Sequence, residues 1–412
     1  MSVGVWRTAK IGEVCDFSRG LTYKKTDEVD FSSNAVLRAN NIALGKGVLN
    51  FDEIKYISDD ISISESKLVK KNSVLVCTAS GSKSHLGKTA FIDDDYQYAF
   101  GGFMGLLTPR SELDGKYLYW VTASKAYSDF IAGLSDGANI NNLKFSQLSE
   151  FSFPIPSLDV QKRIVAIVDE AFAGIDTAIA NTEKNLANAR ELFESYLNLI
   201  FAQPGLDWKE RSLDDVCGID SSLIDPRKEE FIDLPHIGAG NIVSKTGELL
   251  DVKTAREEGL KSGKFLFDEK MVLYSKIRPY LEKVVRPDFN GLCSADIYPL
   301  MPKEGLLVRD FLYYLLLSRQ FTDYAIAGSA RAGMPKVNRN HLFQYVTSFP
   351  EVSIQEKLSD QLNSIEIESK RLELIYLEKL NSLKELKQSL LKKAFSGELT
   401  AEADKLMDEA VA

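Results

Sequence analysis

The sequence predicts an α+β protein: two mixed α/β domains in tandem repeat, separated by two long helices that form an antiparallel coiled coil. Three observations carry that prediction. The first is internal repetition. Trp6 and Cys15 recur as Trp208 and Cys217, both 202 residues on, and Asn41-Ile42 and Gly47 recur as Asn241-Ile242 and Gly247, at an offset of 200. From about residue 115 to residue 201 the offset is a constant 194, under which Leu118-Tyr119 matches Leu312-Tyr313, Gln161 matches Gln355, and Phe201 matches Phe395. The second is a pair of long stretches without proline, about 158–201 and 354–395, each with a narrow apolar stripe. The third is a set of short β-type runs between glycine- and Asn/Asp-rich turns in the remaining chain.

The elements follow in the same order in each half. A mixed part holds the β-type runs, among them Ser73-Val74-Leu75-Val76-Cys77 and Lys270-Met271-Val272-Leu273-Tyr274. An amphipathic pattern then predicts one helix over about 115–132 and another over about 309–326. A proline boundary closes each part, Phe153-Pro154-Ile155-Pro156 in the first and Phe349-Pro350 in the second. Beyond it the first stripe runs through Ile164, Val168, Ala171, Ile175, Ile179, Leu186, Phe193, Tyr196 and Ile200. The second runs through Leu358, Leu362, Ile365, Leu372, Tyr376, Leu380, Leu383, Leu390 and Ala394. Steps of three, four and seven make the seam of a coiled coil rather than the broader face of a globular helix. The division expected is 1–150, a first mixed domain; 151–203, the first long helix; 204–347, a second mixed domain; 348–397, the second long helix; and 398–412, a C-terminal tail.

Composition narrows the function classes. At 412 residues with 44% hydrophobic side chains, the chain can bury more than one core. Its 59 acidic residues exceed its 50 basic ones, for a net charge of −9, which argues against a chain that coats nucleic acid unaided. No run of 18 apolar residues suggests a membrane span, and no signal peptide is visible, so a cytoplasmic protein is expected. Four scattered cysteines, Cys15, Cys77, Cys217 and Cys293, are expected as reduced core residues. Three isolated histidines argue against a zinc site.

Catalytic motifs are missing. Ser80-Gly81-Ser82-Lys83-Ser84-His85-Leu86-Gly87-Lys88-Thr89 resembles a phosphate-binding loop, but position 82 is serine where that motif needs glycine. The residues that follow, Ala90-Phe91-Ile92-Asp93, look like a strand where the motif needs a helix N-terminus. The loop reads better as a surface turn whose counterpart is Lys276-Ile277-Arg278-Pro279-Tyr280-Leu281-Glu282-Lys283. Both loops mix cations with hydroxyl or aromatic side chains, the mix that contacts phosphates and base edges. The candidates for DNA contact are therefore Ser80, Ser82, Lys83, Ser84, His85 and Lys88 in the first half, and Lys276, Arg278, Tyr280 and Lys283 in the second. Asn139, Asn141 and Asn142, with Arg331 and Lys336 in the equivalent turn, are second choices. A solvated charged turn is the competing reading.

The pattern resembles the specificity subunit of a type I restriction–modification system over nearly the whole chain. The resemblance rests on the openings Trp6-Arg7 and Trp208-Lys209, the two basic loops, and the segment 153–161 ending in Gln161. It also rests on the partner segment ending in Ser353-Ile354-Gln355 and on the closing Ala394-Phe395-Ser396-Gly397-Glu398-Leu399. It departs at Glu351-Val352, where the family's second proline is missing. The resemblance implies two target recognition domains, each reading one half of a bipartite double-stranded DNA site. It implies a helical pair that sets the spacer and docks two adenine-N6 methyltransferase subunits and, through them, restriction subunits. The chain itself would be non-catalytic and hold no cofactor, with S-adenosylmethionine, ATP and Mg on its partners. The rival reading is a coiled-coil protein-interaction adaptor without DNA specificity.

Overall fold

The computed structural model describes residues 6–43, 47–82, 85–135, 142–329 and 334–401. The chain divides into two compact units, Met1–Thr182 with Lys379–Ala412, and Glu183–Glu378. Each unit therefore holds one mixed domain, half of one long helix, and the opposite half of the other.

In the first unit the strands Cys15–Arg19, Met104–Pro109, Ser73–Cys77 and Thr89–Ile92 lie side by side in that order, all antiparallel. Ser73–Cys77 is buried at every position, which is why its apolar run does not alternate. A second sheet orders Glu28–Val29, Lys55–Ile57, Asn34–Leu37 and Ala99–Phe100, the last pair running parallel. The second unit repeats this plan. Cys217–Gly218, Ile297–Pro302, Val272–Ser275 and Val284–Val285 form the antiparallel sheet, and Pro235–Ile237 lies parallel to Gly291–Cys293 in the other. Cys15 pairs with Pro109 just as Cys217 pairs with Pro302, so the cysteine repeat marks one strand register. In each domain the first strand clasps the last: Arg7–Lys10 with Ser152–Ile155, and Lys209–Ser212 with Val346–Phe349.

Where one amphipathic helix was expected in each half, the structure has two: Gly115–Thr122 with Lys125–Ser135, and Arg309–Leu317 with Arg319–Ala327. The break falls at Ser124 and Ser318, equivalent under the 194 offset. Each hydroxyl donates back to a carbonyl of the finished helix, Val121 or Leu315, at 2.7 Å, and accepts from an amide of the next, Tyr127 or Phe321. One serine thus closes one helix and caps another.

The long helices span Leu158–Ala202 and Val352–Ser396, 45 residues each, or about 68 Å at 1.5 Å per residue. Their first residues are also related by 194, so the missing second proline at Glu351-Val352 leaves the helix start unchanged. The reason is a glutamine. Gln161 and Gln355 are fully buried. Each donates from Nε2 to the carbonyl of the proline five residues back (Pro156, 2.8 Å; Pro350, 2.9 Å) and to a domain carbonyl (Glu112 and Leu306, both 2.9 Å). Each Oε1 accepts the amide of Asp114 or Val308 at 2.8 Å. One side chain so ties helix to domain.

The two long helices pack against each other, antiparallel. In the second unit, Arg190 pairs with Glu373 at 3.0 Å and Tyr196 bonds Gln361 at 3.1 Å, one number rising as the other falls. In the first unit Lys387 bonds Asp176, and Leu391 and Ala394 share a core with Ile164, Val168 and Phe172. The buried seam includes positions the apolar count passed over: Phe172, Thr182, Ala189, Ser359 and Ser369.

Candidate nucleic-acid interface

In each domain three loops converge. The first is the turn after Asn34–Leu37, or after Pro235–Ile237. It is built on an asparagine whose Oδ1 accepts a backbone amide at 2.8 Å (Arg38 to Asn41; Gly238 to Asn241). The same side chain donates onward to Asn50 at 2.9 Å or Leu250 at 3.0 Å, which explains why Asn-Ile recurs. The second is the loop following Ser73–Cys77 or Val272–Ser275. The third is the turn before Met104–Pro109 or Ile297–Pro302.

Two of the predicted contact lysines face inward. Lys88 Nζ donates to the carbonyl of Ile42 at 3.0 Å, and Lys283 Nζ to that of Ala239 at 2.5 Å, each tying the second loop to the first. Burial depresses the Lys88 pKa below its ordinary value. Both act as equivalent backbone clips. Lys276 is nearly enclosed, with 13% of its side chain exposed; it bonds the Ala295 carbonyl and lies 3.6 Å from Asp296. Burial, helped by Lys336, depresses its pKa against the opposing pull of Asp296. Lys336 also reaches Asp296, at 3.3 Å, and its backbone bridges to Ile277 as Asn142 bridges to Ala79. The second-choice turns therefore do join the loops.

Arg278 and Tyr280 face solvent, and no described residue accepts from the Arg278 guanidinium. Arg278 holds φ of 50° while its amide donates to Pro335 at 2.9 Å, so the backbone is fixed and the side chain free. In the first unit Ser80 accepts the Ser82 amide at 3.2 Å, and the His85 carbonyl accepts the Lys88 amide at 3.3 Å. Thr89–Ile92 is a strand, as a surface turn requires. Lys83, Ser84, Asn139, Asn141 and Arg331 lie outside the described residues.

Sequence reasoning missed a concavity of the first unit, a cleft of about 580 Å³ lined in part by Lys25, Arg38, Asn40, Ser80 and Phe103. Phe103 is 72% exposed. Arg38 Nε is buried without a partner. The available signal was the glycine pair Gly101-Gly102 ahead of an aromatic, which marks a tight turn presenting a large side chain.

All four cysteines are buried and free; burial pushes the Cys15 and Cys217 thiols up to about 12, so neither is poised as a nucleophile. Among the described residues, no group of three or more His, Cys, Asp or Glu is placed to hold a metal. No helix there is long and apolar enough to cross a membrane.

The model of the type I restriction–modification DNA specificity domain matches residues 4–188 and 205–382. The StySPI specificity subunit of a type I restriction enzyme from Salmonella potsdam is 25% identical over 427 residues, covering 96% of this chain and 90% of that protein. The EcoDI specificity subunit from Escherichia coli is 34% identical over 196 residues, 48% of this chain and 43% of that protein. Among solved structures, a chain from a study of type I R-M assembly and conformational transition shares the fold at a TM-score of 0.75 and 17% identity. That likeness covers 95% of this chain and 98% of the other. The HsdS subunit from Thermoanaerobacter tengcongensis does so at 0.62 and 18%, covering 96% and 97%. With one matched segment in each half and together spanning most of its length, the chain belongs to the type I restriction–modification DNA specificity family.

Proposed function

We propose that each domain reads one half of a bipartite DNA site and that the paired helices set the spacer between the halves. The observation that carries this reading is one frame bearing two chemistries. The asparagine turn, the lysine clip and the strand registers repeat, while the side chains they present differ. Thr78, Phe103 and Arg38 stand in the first domain where Lys276, Asp296 and Gly238 stand in the second. A repeated scaffold with altered reading side chains suits two different short sequences.

In this reading the chain is non-catalytic and cytoplasmic. The helices dock two adenine-N6 methyltransferase subunits, which supply S-adenosylmethionine, and restriction subunits join through them with ATP and Mg. Leu192 with Leu199 and Ile367 with Leu374, each pair seven residues apart on one helix face, are exposed apolar residues suited to such docking. Partners that contact the phosphates offset the chain's net charge of −9.

The test is to co-express the chain with its cognate methyltransferase subunit and map N6-methyladenine. A two-part motif with a fixed spacer is expected. Replacing residues 1–156, which keeps both strands of the first clasp together, with the matching part of a relative should change one half of the motif only. Methylation independent of this chain would overturn the reading in favour of an adaptor; a change in both halves would overturn independent reading by the two domains.

A further inference from the structure

We propose that Phe103 and Arg38 are the side chains with which the first domain discriminates bases. This rests on the reading of that domain as a DNA reader and names two of its specificity-determining residues, neither of which lies in the basic loops.

The backbone of Phe103 is held tightly. Its carbonyl accepts from the amides of Thr78 at 2.9 Å and Ala79 at 3.1 Å and from the Thr78 hydroxyl at 2.9 Å, and the Met104 amide closes the turn onto Gly101 at 2.8 Å. The phenyl ring, by contrast, is 72% exposed and belongs to none of the domain's apolar cores. A rigid turn that presents an unpacked aromatic ring into a cleft contributes little to folding. It suits contact with a thymine methyl or insertion at an unstacked base step.

Arg38 supplies the polar half. Its Nε is buried without a partner, and no described carboxylate or carbonyl accepts from its guanidinium. Among the described residues the one acid lining the cleft, Glu28, is already paired with Lys55 at 3.0 Å. The buried Nε is closed to a ligand, but the terminal nitrogens of this half-buried side chain have no acceptor among the described residues and keep their donors for water or a bound base. The O6 and N7 edge of guanine matches the guanidinium fork with two parallel hydrogen bonds. The frame does not require either residue, because the second domain builds the same turns with Asp296 and Gly238 in their places. Side chains that vary on a fixed frame, unpaired and facing one cleft, are those expected to carry discrimination.

The experiment uses the complex of the full chain with its methyltransferase subunit, in wild-type form and as Phe103→Ala, Arg38→Ala and Arg38→Lys. Base preference is read at each position of the methylated motif. One or two positions in a single half-site should relax by about ten-fold, the discrimination carried by one good base contact, while the other half stays unchanged. Arg38→Lys should also relax its position, because an ammonium cannot form the paired bonds. If a variant abolishes methylation, competition binding with singly substituted duplexes replaces that readout. Relaxed preference at particular positions supports the proposal; an equal loss on every duplex means phosphate contact only and overturns it. A wild-type motif left intact by all three variants overturns this inference alone. A wild-type complex that methylates no two-part motif overturns the functional reading and the inference with it.

Discussion

Gly47 and Gly247 recur because two independent constraints fall on the same atom. Both hold positive φ, 59° and 67°, a region that disfavours side chains. A Cβ built on either would also sit 1.9 Å or 2.4 Å from a tyrosine hydroxyl, that of Tyr119 or Tyr313. Since those tyrosines are themselves related by the 194 offset, glycine and tyrosine form one repeated contact. Gly247→Ala should destabilise the second unit by about 2 kcal/mol, combining backbone strain with displacement of the ring. In a Tyr313→Phe background the same substitution should cost about half as much, because the 2.4 Å hydroxyl contact is gone and only backbone strain and the milder 3.2 Å contacts with the ring carbons remain. Thermal unfolding of the four-member set measures the coupling. Equal costs in both backgrounds would show that the hydroxyl contact is not what demands glycine.

At the scale of elements, each domain is fastened to its long helix by a cation held against aromatic rings, with the parts redistributed. In the first unit Lys116 lies 4.9 Å from the centre of Phe91 and 5.7 Å from that of Trp120. Trp120 donates to Asp169 at 2.8 Å and packs on Phe172 at 4.5 Å. In the second unit Asp310 replaces that lysine, and Arg286 stacks at 4.3 Å over Tyr313 while pairing with Asp310 at 2.9 Å. Glu366 stands where Phe172 does, accepting from Tyr314 at 2.8 Å and pairing with Lys370 at 3.0 Å. Glu366→Ala removes one of the two acceptors of the buried Tyr314 hydroxyl, while Asn363 Oδ1 stays 2.6 Å from both that hydroxyl and Arg286 and Asp310 keeps its ion pair, so it should cost about 1 kcal/mol. Faster amide exchange should be confined to helix Arg309–Leu317 and the facing turn of the long helix. Uniform acceleration across the unit would mean the residue does not fasten these two elements. This exchange of parts marks what was legible in the sequence. The constant offset revealed the repeat and both long helices, because their apolar positions must keep register. It hid the helix break at Ser124 and Ser318, since a serine inside an apolar pattern reads as a tolerated helix residue. It also passed over Thr182, Ala189 and Ser369, whose small side chains let the helices approach where larger ones do not. At the interface the loops were legible and the direction of their side chains was not. Lys88 and Lys283 find their acceptors 46 and 44 residues upstream. Arg38 and Phe103 line one cleft because Val36 pairs with Ala99 across a parallel register.

For the whole molecule, the proposed ruler is the stretch where both long helices pass from one unit to the other, at Thr182–Glu183 and Glu378–Lys379. The link after Ala202 is the wrong place to lengthen it: Leu197 and Phe201 lie in the second domain's core, and Asn198 accepts the Arg319 amide at 2.9 Å. Four residues inserted into one helix alone would ask it to span farther than its partner, so one unit would lose pairs such as Arg190 with Glu373 or Asp176 with Lys387. That variant should lose methylation. Four residues inserted into both helices, after Thr182 and after Glu378, keep each unit's pairs intact. They add about 6 Å of helix and turn it about 40° past one revolution. With DNA rising about 3.4 Å per base pair, the unspecified spacer of the methylated motif should lengthen by one or two base pairs while both half-sites stay the same. Sequencing the methylated motif of the double insertion decides it. An unchanged spacer at full activity would show that the helices do not set the distance, and altered half-sites would show that the inserted region takes part in reading.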